Sequence, residues 1–123
     1  MTRLGRVARR GVAIAFSLAL PFGAIAQETR IPLDQSPVVV ENLLAAGQAN
    51  AAYEIALAAY RVEPENTDFM IALARTEISR GNFQEAIALA VRAYREGQLD
   101  GTKYIAANTV AQAHYALKNL TRA

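Results

Sequence analysis

The chain has 123 residues, enough for one small domain, and no cysteine, which excludes a disulfide framework, a thiolate metal site and a lipid-modified N-terminal cysteine. Its one histidine, His114, excludes a multi-histidine metal centre. The formal net charge of +2 comes from Arg3, Arg6, Arg9 and Arg10; from Gln27 onward nine Lys/Arg oppose all eleven acids, so the basic isoelectric point is no argument for nucleic acid or anionic lipid as a partner.

Residues 1–26 have the layout of a secretory signal peptide. Four arginines precede the apolar run GVAIAFSLALPFG at 11–23, and Ala24-Ile25-Ala26 places small residues at −3 and −1 of a cut before Gln27. The run is about 13 residues, against the roughly 20 that a helix needs to span a bilayer. A signal helix, cleavage after Ala26 and general secretory export to a bacterial periplasm are therefore expected, with no membrane insertion of the mature domain. Residues 27–35 (QETRIPLDQ) are polar and lack periodicity, and read as an extended leader.

A helical domain is expected over 36–123. Ser36-Pro37 signals a helix start, with the serine as cap and the proline in the first turn, and Gly47 ends that helix. A second helix spans about 50–62, where Ala52, Ile55, Ala56, Ala59 and Tyr60 recur at i, i+3, i+4 spacing; Pro64 stops it. A third begins after a cap at Asn66 or Thr67 and turns Phe69, Met70, Leu73, Ala74 and Ile78 one way. Gly81 closes it in the left-handed conformation. Asn82 and Glu85 resemble a capping box ahead of a fourth helix lined by Phe83, Ala86, Ile87, Ala90, Val91, Ala93 and Tyr94 and ended by Gly97. A fifth helix is expected over about 103–117.

Shifting the chain by 34 residues superposes Gly47 on Gly81, Ala52 on Ala86, Ala56 on Ala90, Ala59 on Ala93, Tyr60 on Tyr94 and Arg61 on Arg95. These six identities lie at turn or packing positions, where small alanines let helix axes come within about 8–10 Å. With this period, the alanines, Pro64, the large-small pairs Leu73-Ala74 and Val110-Ala111, the turn residue Gly81 and the aromatic Phe83, the chain resembles the tetratricopeptide repeat family from about residue 37 to 123.

The resemblance implies an all-α, antiparallel helix-hairpin solenoid of two full repeats and part of a third, at about 33–66, 67–100 and 101–123. The first unit has a short first helix, which suits a solenoid end. Gln98 stands where the closing proline would be, and Lys118 replaces the third turn glycine. Residue 123 would lie just inside a sixth helix, so a fragment of a longer protein is expected, and Ile105, Val110 or Leu117 would stay partly exposed on the fifth.

No chemistry-bearing motif competes with this reading. His114 has no serine motif around it, Glu54, Glu63, Glu65 and Asp68 read as a solvated acidic loop, and no phosphate-binding glycine pattern occurs. Neither catalysis nor a cofactor is expected. The resemblance instead implies a concave groove lined by the first helix of each unit, with Glu41 and Leu44, then Ile71, Arg75 and Ile78, then Asn108, Gln112 and Tyr115 facing an extended peptide or a partner helix. Relatives that clamp a C-terminal carboxylate use lysine and asparagine where Pro37 and Glu41 stand here, which speaks against that activity. The expected function is a non-catalytic protein–protein interaction scaffold in the periplasm. The alternative is the N-terminal periplasmic domain of a larger outer-membrane β-barrel protein, similar to surface-lipoprotein export modulators, which alternating segments of about ten residues beyond codon 123 would reveal.

Overall fold

The computed structural model describes residues 13–18 and 27–122. Two strands, β1 (Ala13–Leu18) and β2 (Gln27–Pro32), are followed by a 3-10 turn at Leu33–Gln35 and five helices: α1 (Ser36–Ala45), α2 (Ala49–Val62), α3 (Thr67–Ser79), α4 (Phe83–Glu96) and α5 (Asp100–Arg122). Each helix packs antiparallel-hairpin fashion on its successor. In addition α3 touches α1 and α5, so the first helices of successive hairpins form one layer.

The N-terminal segment departs from expectation. Where the structure describes the apolar run it is a strand and not a helix, paired antiparallel with β2 from Ala13↔Pro32 to Leu18↔Gln27. The physical reason is visible in the order of residues: Ile14, Phe16 and Leu18 alternate with Ala13, Ala15 and Ser17, a period of two. Ile14 and Ile31 are register partners and both are buried. Ile14 packs with Leu33, Ala59 and Phe69, and Ile31 joins the cluster around Val40 and Ile55. The expected cleavage point after Ala26 lies outside the described residues.

Local signals explain the helix ends, with two corrections. Ser36 does not cap α1. It occupies the first turn, 1% exposed, and its Oγ donates to the Leu33 carbonyl at 2.7 Å, tying helix to 3-10 turn. Asn82 likewise caps nothing through its side chain; its Nδ2 donates to Glu77 Oε2 at 3.3 Å. Short polar side chains bond whichever local backbone or carboxylate is nearer, so residue type alone did not decide. Asn66 is a true cap, its Oδ1 accepting from the backbone N–H groups of Asp68 (3.0 Å) and Phe69 (3.4 Å).

The repeat appears as two copies of one turn. After α1, Gln48 N–H bonds the Leu43 carbonyl at 2.8 Å and Gly47 N–H that of Leu44 at 3.0 Å. After α3, Asn82 N–H bonds Glu77 O at 2.8 Å and Gly81 N–H bonds Ile78 O at 3.1 Å. Both glycines have positive φ, +75° and +83°, the left-handed residue this helix ending demands. A Cβ at Gly81 would meet open space, so conformational strain is the whole penalty. Gly81→Ala is expected to cost about 1–2 kcal/mol in urea denaturation; a shift in midpoint indistinguishable from zero would contradict the left-handed assignment. Gly97 ends α4 for another reason: its φ is −66°, but a Cβ would lie 2.9 Å from the Ala93 carbonyl oxygen and 3.1 Å from Thr102 Cγ2.

The core is made of alanines at the crossings and larger side chains beside them. Ala52, Ala56, Ala59, Ala86, Ala90, Ala93, Ala106 and Ala113 are all fully buried. Helix α3 is buried almost all round, from Phe69 to Ala74 and again at Thr76 and Glu77, because it has neighbours on both sides. Its buried hydroxyl is satisfied within the helix, Thr76 Oγ1 donating to Leu73 O at 2.7 Å, as Thr109 Oγ1 does to Ile105 O at 2.8 Å in α5. Buried Glu77 accepts from Arg80 Nη1 at 2.7 Å as well as from Asn82. That hydrogen bond raises the Arg80 pKa above its ordinary value, and the guanidinium lies 3.7 Å over the Tyr53 ring of α2. The two hairpins are also joined by Arg92 Nη1 donating to Tyr60 Oη at 2.9 Å.

Helix α5 runs further than expected. It begins at Asp100 and continues past Lys118 to Arg122, with no turn after Leu117. Without a glycine at 118 the backbone has no left-handed residue to stop it, and the chain beyond 117 extends α5 where a sixth helix was expected to start. Ile105 is 45% exposed, and Val110 and Leu117 are half-buried.

Candidate functional site: a groove across α1, α3 and α5

The layer formed by α1, α3 and α5 carries two adjoining cavities. The first, about 330 Å³, is walled by Pro37, Val38 and Glu41 of α1, by Asp68, Ile71, Ala72 and Arg75 of α3, by Ile105 of α5 and by Asp34 of the 3-10 turn. The second, about 300 Å³, is walled by Glu41, Leu44 and Ala45 of α1, by Arg75, Ile78 and Ser79 of α3, and by Gln112 of α5. Glu41 and Arg75 belong to both. Their ion pair, Nη1 to Oε1 at 2.9 Å, bridges α1 and α3 at the junction.

Helical periodicity explains this convergence. Val38, Glu41 and Ala45 are spaced by three and four along α1; Asp68, Ile71, Arg75 and Ile78 do the same on α3; Ile105 and Gln112 are seven apart on α5. Each set is one face of its helix, and stacking α3 between α1 and α5 puts the three faces side by side. Of the eight residues expected in the groove, Glu41, Leu44, Ile71, Arg75, Ile78 and Gln112 line the cavities. Asn108 and Tyr115 do not: both are exposed on α5, Tyr115 by 69%, and neither borders these two cavities. Val38, Asp68 and Ile105 were legible by the same spacing from Glu41, Ile71 and Gln112. Asp34 was not, because it sits in the 3-10 turn, outside any helical period.

The other side of α5 carries a separate apolar cavity of about 260 Å³, between Val91 and Tyr94 of α4 and Ala107 and Val110 of α5. The Lys103 ammonium stands 5.2 Å from the centre of the Tyr94 ring.

Among the described residues no group of three or more His, Asp or Glu is placed to hold a metal, and His114 is exposed. The acids near Pro64 are spread in solvent, apart from half-buried Glu63, which accepts from Asn66 Nδ2 at 3.0 Å. No helix of the described residues is long and apolar enough to cross a membrane.

A family model, Tetratricopeptide repeat, matches residues 43–107, more than half of the chain, and these residues hold both left-handed glycine turns, both sets of buried alanines and the groove face of α3. The chain belongs to the tetratricopeptide repeat family. No curated protein and no solved structure matches it. Tetratricopeptide repeats generally mediate protein–protein interaction and are generally non-catalytic scaffolds. A protein partner is accordingly the class of ligand this fold takes.

Proposed function

We propose that this tetratricopeptide repeat chain is an exported, non-catalytic interaction module that holds an extended peptide or a partner helix in the groove across α1, α3 and α5. The observation that carries the reading is the pair of adjoining cavities sharing Glu41 and Arg75, which together make a trough along one layer of helices. The trough mixes apolar walls (Leu44, Ile71, Ile78) with hydrogen-bonding groups (Ser79, Gln112), the combination that fixes a peptide by its side chains while satisfying its backbone. Export to a bacterial periplasm is supported by the arginines, apolar run and Ala24-Ile25-Ala26 of the first 26 residues.

Two measurements test this. A photoreactive benzoylphenylalanine at Ile78, in the groove, is expected to cross-link a partner protein in cells, whereas the same group at exposed Val62 of α2 is not. Equal yields at the two positions, or none at Ile78, would overturn the groove. N-terminal sequencing of the exported protein is expected to begin at Gln27; a chain still starting at Met1 would refute cleavage.

A further inference from the structure

The two cavities differ in charge, and the difference specifies what the groove takes. The first has three carboxylates at its walls, Asp34, Glu41 and Asp68, and one cation, Arg75. That cation is already engaged by Glu41 at 2.9 Å. Among the described residues no cationic side chain pairs with Asp34 or Asp68. The rest of the cavity is aliphatic: Ile71 and Ala72 are buried in its floor, and Val38 (64% exposed) and Ile105 (45% exposed) stand at its mouth. The second cavity presents no carboxylate besides the shared Glu41; Leu44, Ala45 and Ile78 are its aliphatic walls, and Ser79, Gln112 and the shared Arg75 make the rest of its lining polar.

We infer that the groove selects peptides in which a lysine or arginine occupies the first cavity while the neighbouring stretch of peptide runs over the second. The inference rests on the groove reading above and deepens it. A basic side chain is the residue type that matches the first cavity in both its parts. Its methylene stem lies along Val38, Ile71 and Ile105 while its charged head stays at the wet rim beside Asp34 and Asp68. An acidic side chain would meet three carboxylates and find its one counter-ion already paired. An apolar residue would cover the floor but leave the rim charges partly desolvated with no partner. A free cation is a poorer occupant than a peptide because the trough continues past the Glu41–Arg75 bridge into a second cavity that only a ligand of greater length reaches.

The test is a phage-displayed random dodecapeptide library selected on the full chain, followed by affinity measurement on the enriched peptide carrying a fluorophore. Enriched sequences are expected to share a Lys or Arg. Replacing that basic residue by norleucine should weaken binding about 1.5- to 5-fold, the range for exposed ion pairs, as should the double variant Asp34→Asn, Asp68→Asn. Raising the salt should erase the difference. Val38 is exposed, so two further variants bear on the groove without threatening the fold. Val38→Arg should abolish binding, whereas Val38→Glu, which removes the same apolar wall but adds no competing cation, should weaken it far less. Enrichment of acidic or purely apolar peptides, or equal loss with both Val38 variants, would overturn the charge preference while leaving the groove intact. Peptides that bind with no change in any of these variants would overturn the groove itself. Failure to enrich any peptide overturns both.

Discussion

Met70→Ala is expected to lower the unfolding free energy by about 3–5 kcal/mol, the upper part of the range for truncating a buried large side chain. Met70 is fully buried on α3 and packs with Ala93 of α4, Ala106 of α5 and Tyr60 of α2. It therefore stands where both hairpins and α5 meet. Two of those neighbours are alanines, whose side chains have no freedom to swing into the space vacated, and Tyr60 is held through its hydroxyl by Arg92 at 2.9 Å. Collapse around the cavity is thus poor, and poor collapse is what makes such truncations costly. In thermal unfolding followed by circular dichroism, a loss of this size lowers the midpoint by at least about 12 °C for a domain of this length. Met70→Leu, which keeps the volume, should cost less than about 1.5 kcal/mol. A Met70→Ala midpoint within a few degrees of the parent would mean that α3 does not join its neighbours through this cluster.

The same cluster shows why much of the fold was legible. The alanines at 52, 56 and 59 and at 86, 90 and 93 announce close helix crossings because nothing larger fits there, and every one is fully buried. Gly47 and Gly81 announce turns because the left-handed region penalises any Cβ, and both have positive φ. Signals of this kind have one physical reading. Ser36 and Asn82 carry signals with several: a hydroxyl or amide can cap, bond backward or reach a carboxylate, and tertiary placement decides between them. The apolar run near the N-terminus is ambiguous in the same way, since its composition suits a signal helix while its alternation suits the strand found at Ala13–Leu18. In the groove, spacing within a helix was readable. The contribution of Asp34 was not, because it depends on how a 3-10 turn lies against α1 and α3.

Ala90→Leu should also destabilise the fold, less than the loss of Met70 and by the opposite mechanism. Ala90 is fully buried on α4 in a cluster with Ala74 of α3 and Ala113 of α5, bordered by Ile78, Ile87 and Val110. Three extra carbons have no void to enter, so the helices must separate, and overpacking of a tight core costs about 1–3 kcal/mol, occasionally more. Ala88 lies two residues away on the exposed side of α4, and Ala88→Leu should change stability by less than about 0.5 kcal/mol. The pair isolates packing from helix propensity, which is the same for both substitutions. Separation of α3 from α5 also moves Gln112 away from Ile78, two walls of the second cavity that sit beside this cluster. Ala90→Leu is therefore expected to weaken peptide binding in conditions where the variant is still fully folded by circular dichroism, and Ala88→Leu to leave it unchanged. Equal stability of the two variants would show that the alanine positions repeated at 34 residues do not set the distance between helices, and with it the width of the groove.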